Sequence, residues 1–258
     1  MNISSTQHED VVLVEFSDPE SFNAFETKTF AALEDAVTDA ADAGARALVL
    51  AGAGRAFSSG ADVGTFVSGV KDKNSGVMMT YTVSAAHSLL RTLRSGPPVV
   101  AAINGVAAGA ALGIACACDL RLSATTATFV SGFVRIGATP DSSVSYYLPR
   151  LVGMGRAAEM LLQNRKVTAD EAFAWGLVAE VVEQEALLDR ALTIAKELAA
   201  GPQQALRRTR CLLDTSCTDT LETHLDREAD VIIEASRGAE FAEGVVAFTK
   251  KRAPIFPR

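Results

Sequence analysis

Two glycine-rich loops, one aspartate behind a proline, and a scattered set of cysteines and histidines are the features of this sequence that could do chemistry. The first loop, Gly52-Ala53-Gly54-Arg55-Ala56-Phe57, lacks the third glycine of a dinucleotide fingerprint, and no Gly-Lys-Ser/Thr follows it. Neither arrangement for cradling phosphate is therefore supported. The loop runs on to Gly60-Ala61, and the second, Asn104-Gly105-Val106-Ala107-Ala108-Gly109, runs into Ala110. Glycines of this kind can simply turn the chain. Two such loops, each behind an apolar run and each ending in Gly-Ala, favour a site in which paired backbone N–H groups face one ligand. Asp141, in Gly137-Ala138-Thr139-Pro140-Asp141-Ser142-Ser143, reads on its own as a turn residue. His87, on a helical pattern with partly apolar neighbours, reads as an ordinary satisfied histidine.

The cysteines (Cys116, Cys118, Cys211, Cys217) form no C-x-x-C pair, and the histidines (His8, His87, His224) are far apart, so no metal site is expected. Cys116 and Cys118 sit in an alanine-rich apolar stretch, where cysteine behaves as a small hydrophobe.

The elements that must position these residues alternate. Residues 11–16 form an apolar, β-rich run closed by Ser17-Asp18-Pro19-Glu20, and Phe30, Leu33, Ala36, Val37 and Ala40 recur at helical spacing over 28–43. A short apolar strand at 47–50 enters the first glycine loop, which continues to Asp62. A helical pattern over 82–93 is broken by Pro97-Pro98, and a strand at 99–103 enters the second loop. A helix over 110–118 and a strand at 119–122 follow. Strand, glycine loop and helix thus occur twice, which predicts an α/β chain with a stacked β/α spiral of parallel strands and no edge hairpins. After Pro149 the patterns are helical: 154–162, 169–175, 186–200, 202–213, 221–233 and 239–250, with a capping box at Thr168-Ala169-Asp170-Glu171. The expected division is a spiral core over 1–200 and a C-terminal helical region over 201–258.

At 258 residues, 48% hydrophobic and 21% charged, the chain has the composition of an ordinary globular protein. Its net charge of -7 argues against a nucleic-acid partner. The polar segment 1–10 has neither the apolar centre of a signal peptide nor the arginine bias of a transit peptide, so a cytoplasmic location is expected. The most apolar stretch, 99–118, is interrupted by Asn104 and several glycines and does not read as a membrane span.

Three motifs together resemble the crotonase (enoyl-CoA hydratase/isomerase) superfamily over nearly the whole chain. They are Gly54-Arg55-Ala56-Phe57-Ser58-Ser59-Gly60-Ala61-Asp62, then Pro98-Val99-Val100-Ala101-Ala102-Ile103-Asn104-Gly105-Val106-Ala107-Ala108-Gly109, then Leu148-Pro149-Arg150-Leu151-Val152-Gly153. The resemblance implies a crotonase-like spiral with a C-terminal trimerisation region, an acyl-CoA thioester as substrate and partner, and homotrimers or dimers of trimers. It implies no cofactor beyond the coenzyme A that the substrate carries. By the same resemblance, the N–H groups of Ala61 and Ala110 form an oxyanion hole for the thioester oxygen, and Phe248 and Lys251 of the terminal helix contribute to coenzyme A binding. Charge builds on that oxygen when a neighbouring proton is removed, and each fixed donor is worth about 3 kcal/mol in a comparable acyl-transfer site.

The chain departs from the hydratases it resembles. Their two glutamates fall on Gly113 and Phe133, neither of which can move a proton. Asp141 falls where some isomerases of the family and the 4-chlorobenzoyl-CoA dehalogenase carry an aspartate, so an isomerase is expected. The alternatives are a dehalogenase or thioester hydrolase with Asp141 as nucleophile and an inactive acyl-CoA-binding homologue. The dehalogenase's water-activating histidine falls on Ala86, with His87 one place off, and its pocket tryptophan falls on Phe133. Phe133, Ala86 and His87 are thus expected around the substrate, and an apolar wall there should raise the pKa of Asp141.

Overall fold

The computed structural model describes residues 1–257 and divides into two compact units, Met1–Ala195 and Lys196–Arg258. The division falls inside a helix, ahead of the boundary expected at 200.

In the first unit, strands β1 (Asn2–His8), β2 (Val11–Ser17), β3 (Ala47–Gly52), β4 (Ala56–Ser58), β5 (Val99–Ile103), β6 (Val106–Ala108), β7 (Leu120–Ala124), β8 (Thr128–Val130), β9 (Val167–Thr168) and β10 (Glu180–Val182) make two sheets. The six-stranded sheet has the order β1-β2-β3-β5-β7-β10 and the four-stranded sheet β4-β6-β8-β9. From β2 through β10 the larger sheet is parallel, and β4, β6 and β8 are parallel in the smaller. Each of β3, β5 and β7 leaves the first sheet and, after a short turn, becomes β4, β6 or β8 of the second, which is one step of the spiral. β3 and β5 are buried along their whole length, as strands covered on both faces must be.

The connecting helices are α1 (Thr27–Asp42), α2 (Phe66–Lys71), α3 (Ser75–Ser95), α4 (Ala110–Ala117), α5 (Val144–Val152), α6 (Met154–Leu162), α7 (Ala169–Ala174) and α8 (Leu187–Ala200), the last of which crosses the division between units. Every residue of α4 is buried, and its small side chains let the backbone approach its neighbours. Phe16, Phe25, Phe30 and Phe57 pack edge to face with centroids 5.1 to 5.4 Å apart. Burial pushes the thiols of Cys116 and Cys118 up to about 12, consistent with structural groups.

Four expectations are corrected. The spiral does have an edge hairpin, because β1 pairs antiparallel with β2 through a turn in which Glu9 takes φ 58. The side chains of β1 are almost all exposed or half-buried, so the strand is held by its backbone and leaves no apolar alternation to read. β4 and β6 lie inside segments read as loops, since three residues are too short for periodicity. Helix α2 was not foreseen. Helix α5 begins before Pro149 and contains it, the carbonyl deprived of a partner belonging to exposed Ser145. The capping box at Thr168 and Glu171 is formed. Other acids of the motifs are structural: Asp62 caps a short turn through Gly64 N–H, and Asp119 joins Arg94 to the Val99 N–H. The Arg156 and Arg165 guanidiniums both lie over the Trp175 ring, 5.0 and 4.8 Å from its centroid.

The second unit holds α9 (Gln203–Thr215), α10 (Leu221–Ser236) and α11 (Ala239–Thr249). Arg208 bridges α9 to Glu234 of α10 at 2.6 Å, and Glu240 accepts the Gln204 and Ala205 N–H groups at the start of α9. Arg252 and the Ile255 N–H hold the Glu243 carboxyl down to about 2.

Candidate active site

The site is built where the two glycine loops meet. The chain at Ala61 runs beside Phe25 as an isolated parallel bridge: Phe25 N–H donates to the Gly60 carbonyl at 2.7 Å, and Asp62 N–H donates to the Phe25 carbonyl at 2.9 Å. In such a bridge the N–H of the middle residue points the other way, and the Ala61 N–H donates to no acceptor among the described residues. Buried Asn23 fixes this loop by donating to the Ala53 and Ala56 carbonyls at 2.9 Å. Ser58 adds a second tie, its hydroxyl donating to the Asn23 carbonyl at 2.6 Å and accepting the Gly60 N–H at 3.0 Å.

Gly60 is where the loops touch. It takes φ +87, and a Cβ there would fall 2.5 Å from the Ala108 carbonyl oxygen and 3.3 Å from the Ala110 nitrogen. No side chain fits, so the backbone of the first loop lies directly against the start of α4. Ala110 is the first residue of that helix, where N–H groups have no intrahelical partner, and its N–H too is unpaired. The helix dipole adds to the attraction for negative charge at this end.

Ala61 and Ala110 line one cavity of about 410 Å³, together with Asp141, Phe133 and Ala86. Asp141 enters it from a segment with an unusual backbone. Gly137, Ser142 and Ser143 all have positive φ, at 70, 48 and 67, and the two serines lie in a region costly for residues with a Cβ. The segment is held by the Ser143 hydroxyl, which donates to the Gly113 carbonyl at 3.3 Å, and by Val144 N–H on the Asp141 carbonyl at 3.0 Å. Asp141 Oδ1 and Ser142 Oγ are both buried without a hydrogen-bond partner of good geometry. Burial raises the Asp141 pKa above 3.8, and the neighbouring Ser142 hydroxyl and the His87 imidazole pull it back more weakly.

His87 does not line the cavity; Ala86 does. Both are on α3, where one residue is a turn of about 100° around the axis; Ala86 is buried and His87 is half-buried. His87, expected around the substrate, is thus outside the cavity lining and acts on Asp141 only through its charge. Phe248 and Lys251 belong to the second unit: Phe248 is 85% exposed on α11, and Lys251 takes φ 53 just after it. The cavity also recruits Phe66, Met79, Ser131 and Ser142, which sequence reasoning missed. Ser131-Gly132, directly before Phe133, was the readable signal. Its loop is pinned by Asn164, whose Oδ1 accepts the Gly132 N–H at 2.7 Å. Among the described residues no three His, Cys, Asp or Glu side chains converge as metal ligands, and no helix is long and apolar enough to cross a membrane.

Residues 6–258 match the model of the family described as enoyl-CoA hydratase/isomerase. The chain belongs to that family. As a member of the enoyl-CoA hydratase/isomerase family, it is 34% identical to the 1,2-epoxyphenylacetyl-CoA isomerase of Escherichia coli (strain K12), over 98% of this chain and 97% of that one. It is likewise 34% identical to 4-chlorobenzoyl coenzyme A dehalogenase-2 of an Arthrobacter species, over 96% of this chain and 90% of the other. The crystal structure of an enoyl-CoA hydratase from Polaromonas sp. JS666 superposes with a TM-score of 0.93 at 28% identity, covering 99% of both chains. The fold is the crotonase fold, and the enoyl-CoA hydratase/isomerase family acts on acyl-CoA thioesters.

Proposed function

We propose that this protein is an enoyl-CoA isomerase in which Asp141 moves a proton along the acyl chain. One observation carries the reading: among the described residues, Asp141 is the only ionisable side chain lining the cavity that contains the unpaired Ala61 and Ala110 amides. With the thioester oxygen on those amides, the Asp141 carboxylate takes a proton from C2 of a 3-enoyl group. The electron pair moves onto the oxygen as a dienolate held by the two N–H groups. The same carboxyl then returns the proton to C4, leaving a 2-enoyl thioester and Asp141 ionised again. Atoms balance with one acid–base group, so the chemistry requires no cofactor beyond the coenzyme A of the substrate. Desolvation suits this base, since a raised pKa strengthens its pull on the C2 proton.

Classical hydration is disfavoured, because Gly113 and Phe133 stand where the hydratase glutamates would be. A dehalogenase or hydrolase with Asp141 as nucleophile needs a second group to activate water. The other polar side chains lining the cavity are hydroxyls, and His87 is not among the lining residues.

Phe248 and Lys251 are proposed to hold the coenzyme A portion, and the protein is proposed to work in the cytoplasm as a trimer or dimer of trimers. Helix α10 supports the assembly: none of its residues is buried, and Leu221, Leu225, Ile232 and Ile233 are exposed on it. Incubation with a 3-enoyl-CoA in D₂O tests the function. The expected product has an unchanged skeleton, a conjugated double bond and exchange confined to C2 and C4. Gain of water indicates a hydratase and halide release from a haloaryl-CoA a dehalogenase; no turnover indicates an inactive homologue.

A further inference from the structure

The catalytic cavity is not closed. Val63, Phe66, Met79, Ile136 and Ala138 line it and also line a second hollow of about 470 Å³ between α2 and α3. We propose that this hollow receives the distal hydrocarbon of the substrate's acyl group, so that the protein selects medium or longer apolar acyl chains over four-carbon ones. The inference deepens the reading of the Asp141 cavity as an acyl-CoA site and rests on it.

Placement is the first argument. Val63 and Phe66 closely follow the Ala61 amide, and Ile136 and Ala138 closely precede Asp141. A chain whose thioester oxygen is on Ala61 and Ala110 and whose reacting carbons face Asp141 therefore meets the opening with its next carbons. Chemistry is the second. Beyond the shared residues, the hollow is walled by Val67, Val70 and Met78, and its only polar side chains are Ser75 and Lys71. The amides of a pantetheine arm would lose their hydrogen bonds in such a wall, whereas hydrocarbon gains by entering it. Exposure is the third: Val63 is 48%, Val67 50%, Val70 68% and Ile136 53% exposed, an apolar surface continuous with an active cavity. Met78 and Met79 add adaptable walls, and Met78 Sδ would lie 2.5 Å from a Cβ on Gly69, so α2 and α3 are closely apposed at the base of the hollow.

Affinity for saturated acyl-CoAs from butyryl to dodecanoyl, measured by calorimetry, tests this without requiring turnover. Full burial of a methylene is worth roughly fourfold in affinity, so a half-open hollow should give about twofold or more per methylene beyond six carbons. Val67→Asp, at a half-exposed position, should flatten that slope while leaving butyryl-CoA affinity unchanged, and Val67→Leu should keep it. A flat series in the wild type with butyryl-CoA still bound, or an undiminished slope in Val67→Asp, overturns the proposal and leaves the acyl-CoA site standing. A steep series that Val67→Asp flattens supports it, even if no 3-enoyl-CoA is isomerised; in that event the isomerase reading fails alone.

Discussion

A Cβ atom on Gly113 would lie 2.0 Å from the carbonyl oxygen of Ser142, so α4 and the segment carrying Asp141 meet backbone to backbone. The same contact keeps an acid away from position 113 and sets Asp141 in the cavity.

Replacing Gly113 should therefore cost both stability and activity. Gly113→Ala forces the Ser142 carbonyl to move and should destabilise the protein by about 1–3 kcal/mol, the usual range for overpacking, as read from urea unfolding. Gly113→Glu should fare worse and should not acquire hydration of a 2-enoyl-CoA. Hydratase activity in a folded Gly113→Glu protein would show that the packing is more yielding than the contact implies.

The Ala110 amide can be removed without losing a side chain. Proline is tolerated at the first position of a helix, where its missing N–H would be unpaired in any case. Ala110→Pro should remain folded by circular dichroism yet lose about 100- to 1000-fold in kcat, the effect of deleting one oxyanion donor elsewhere. Near-normal kcat in this variant would remove Ala110 from the mechanism.

Burial of Asp141 also has a signature in stability. Its folded-state pKa lies above the unperturbed 3.8, so between those two values the folded protein binds more protons than the unfolded one. Its contribution to stability therefore falls as pH rises through that window and stays unfavourable above it. Asp141→Asn should have a higher Tm than wild type at neutral pH, and the difference should vanish below 3.8, where both side chains are neutral. By the same shift, the acid limb of kcat/KM should lie above pH 3.8. Thermal scans across pH on the two proteins decide the stability question, and equal Tm at neutral pH would contradict it.

Much of this was legible before the fold. Strand, glycine loop and helix announced themselves twice, and the motifs led to Ala61, Ala110 and Asp141. The edge strand β1 was hidden because its side chains are almost all exposed or half-buried and carry no core pattern. Phe66 and Met79 were hidden for another reason: the spiral gathers them from separate segments, and no local spacing records that meeting. His87 was misplaced by one helical position, since its neighbour Ala86 lines the cavity and His87 does not.

The central claim is that Asp141 alone moves the proton while the Ala61 and Ala110 amides hold the charge. Single-turnover isomerisation of a 3-enoyl-CoA by wild type and by Asp141→Asn, with acyl-CoA affinity measured on both, tests it most directly. The account predicts that Asp141→Asn binds the thioester nearly as tightly as wild type, since both amides remain, and forms no conjugated product. Isomerisation at a comparable rate in Asp141→Asn would contradict it.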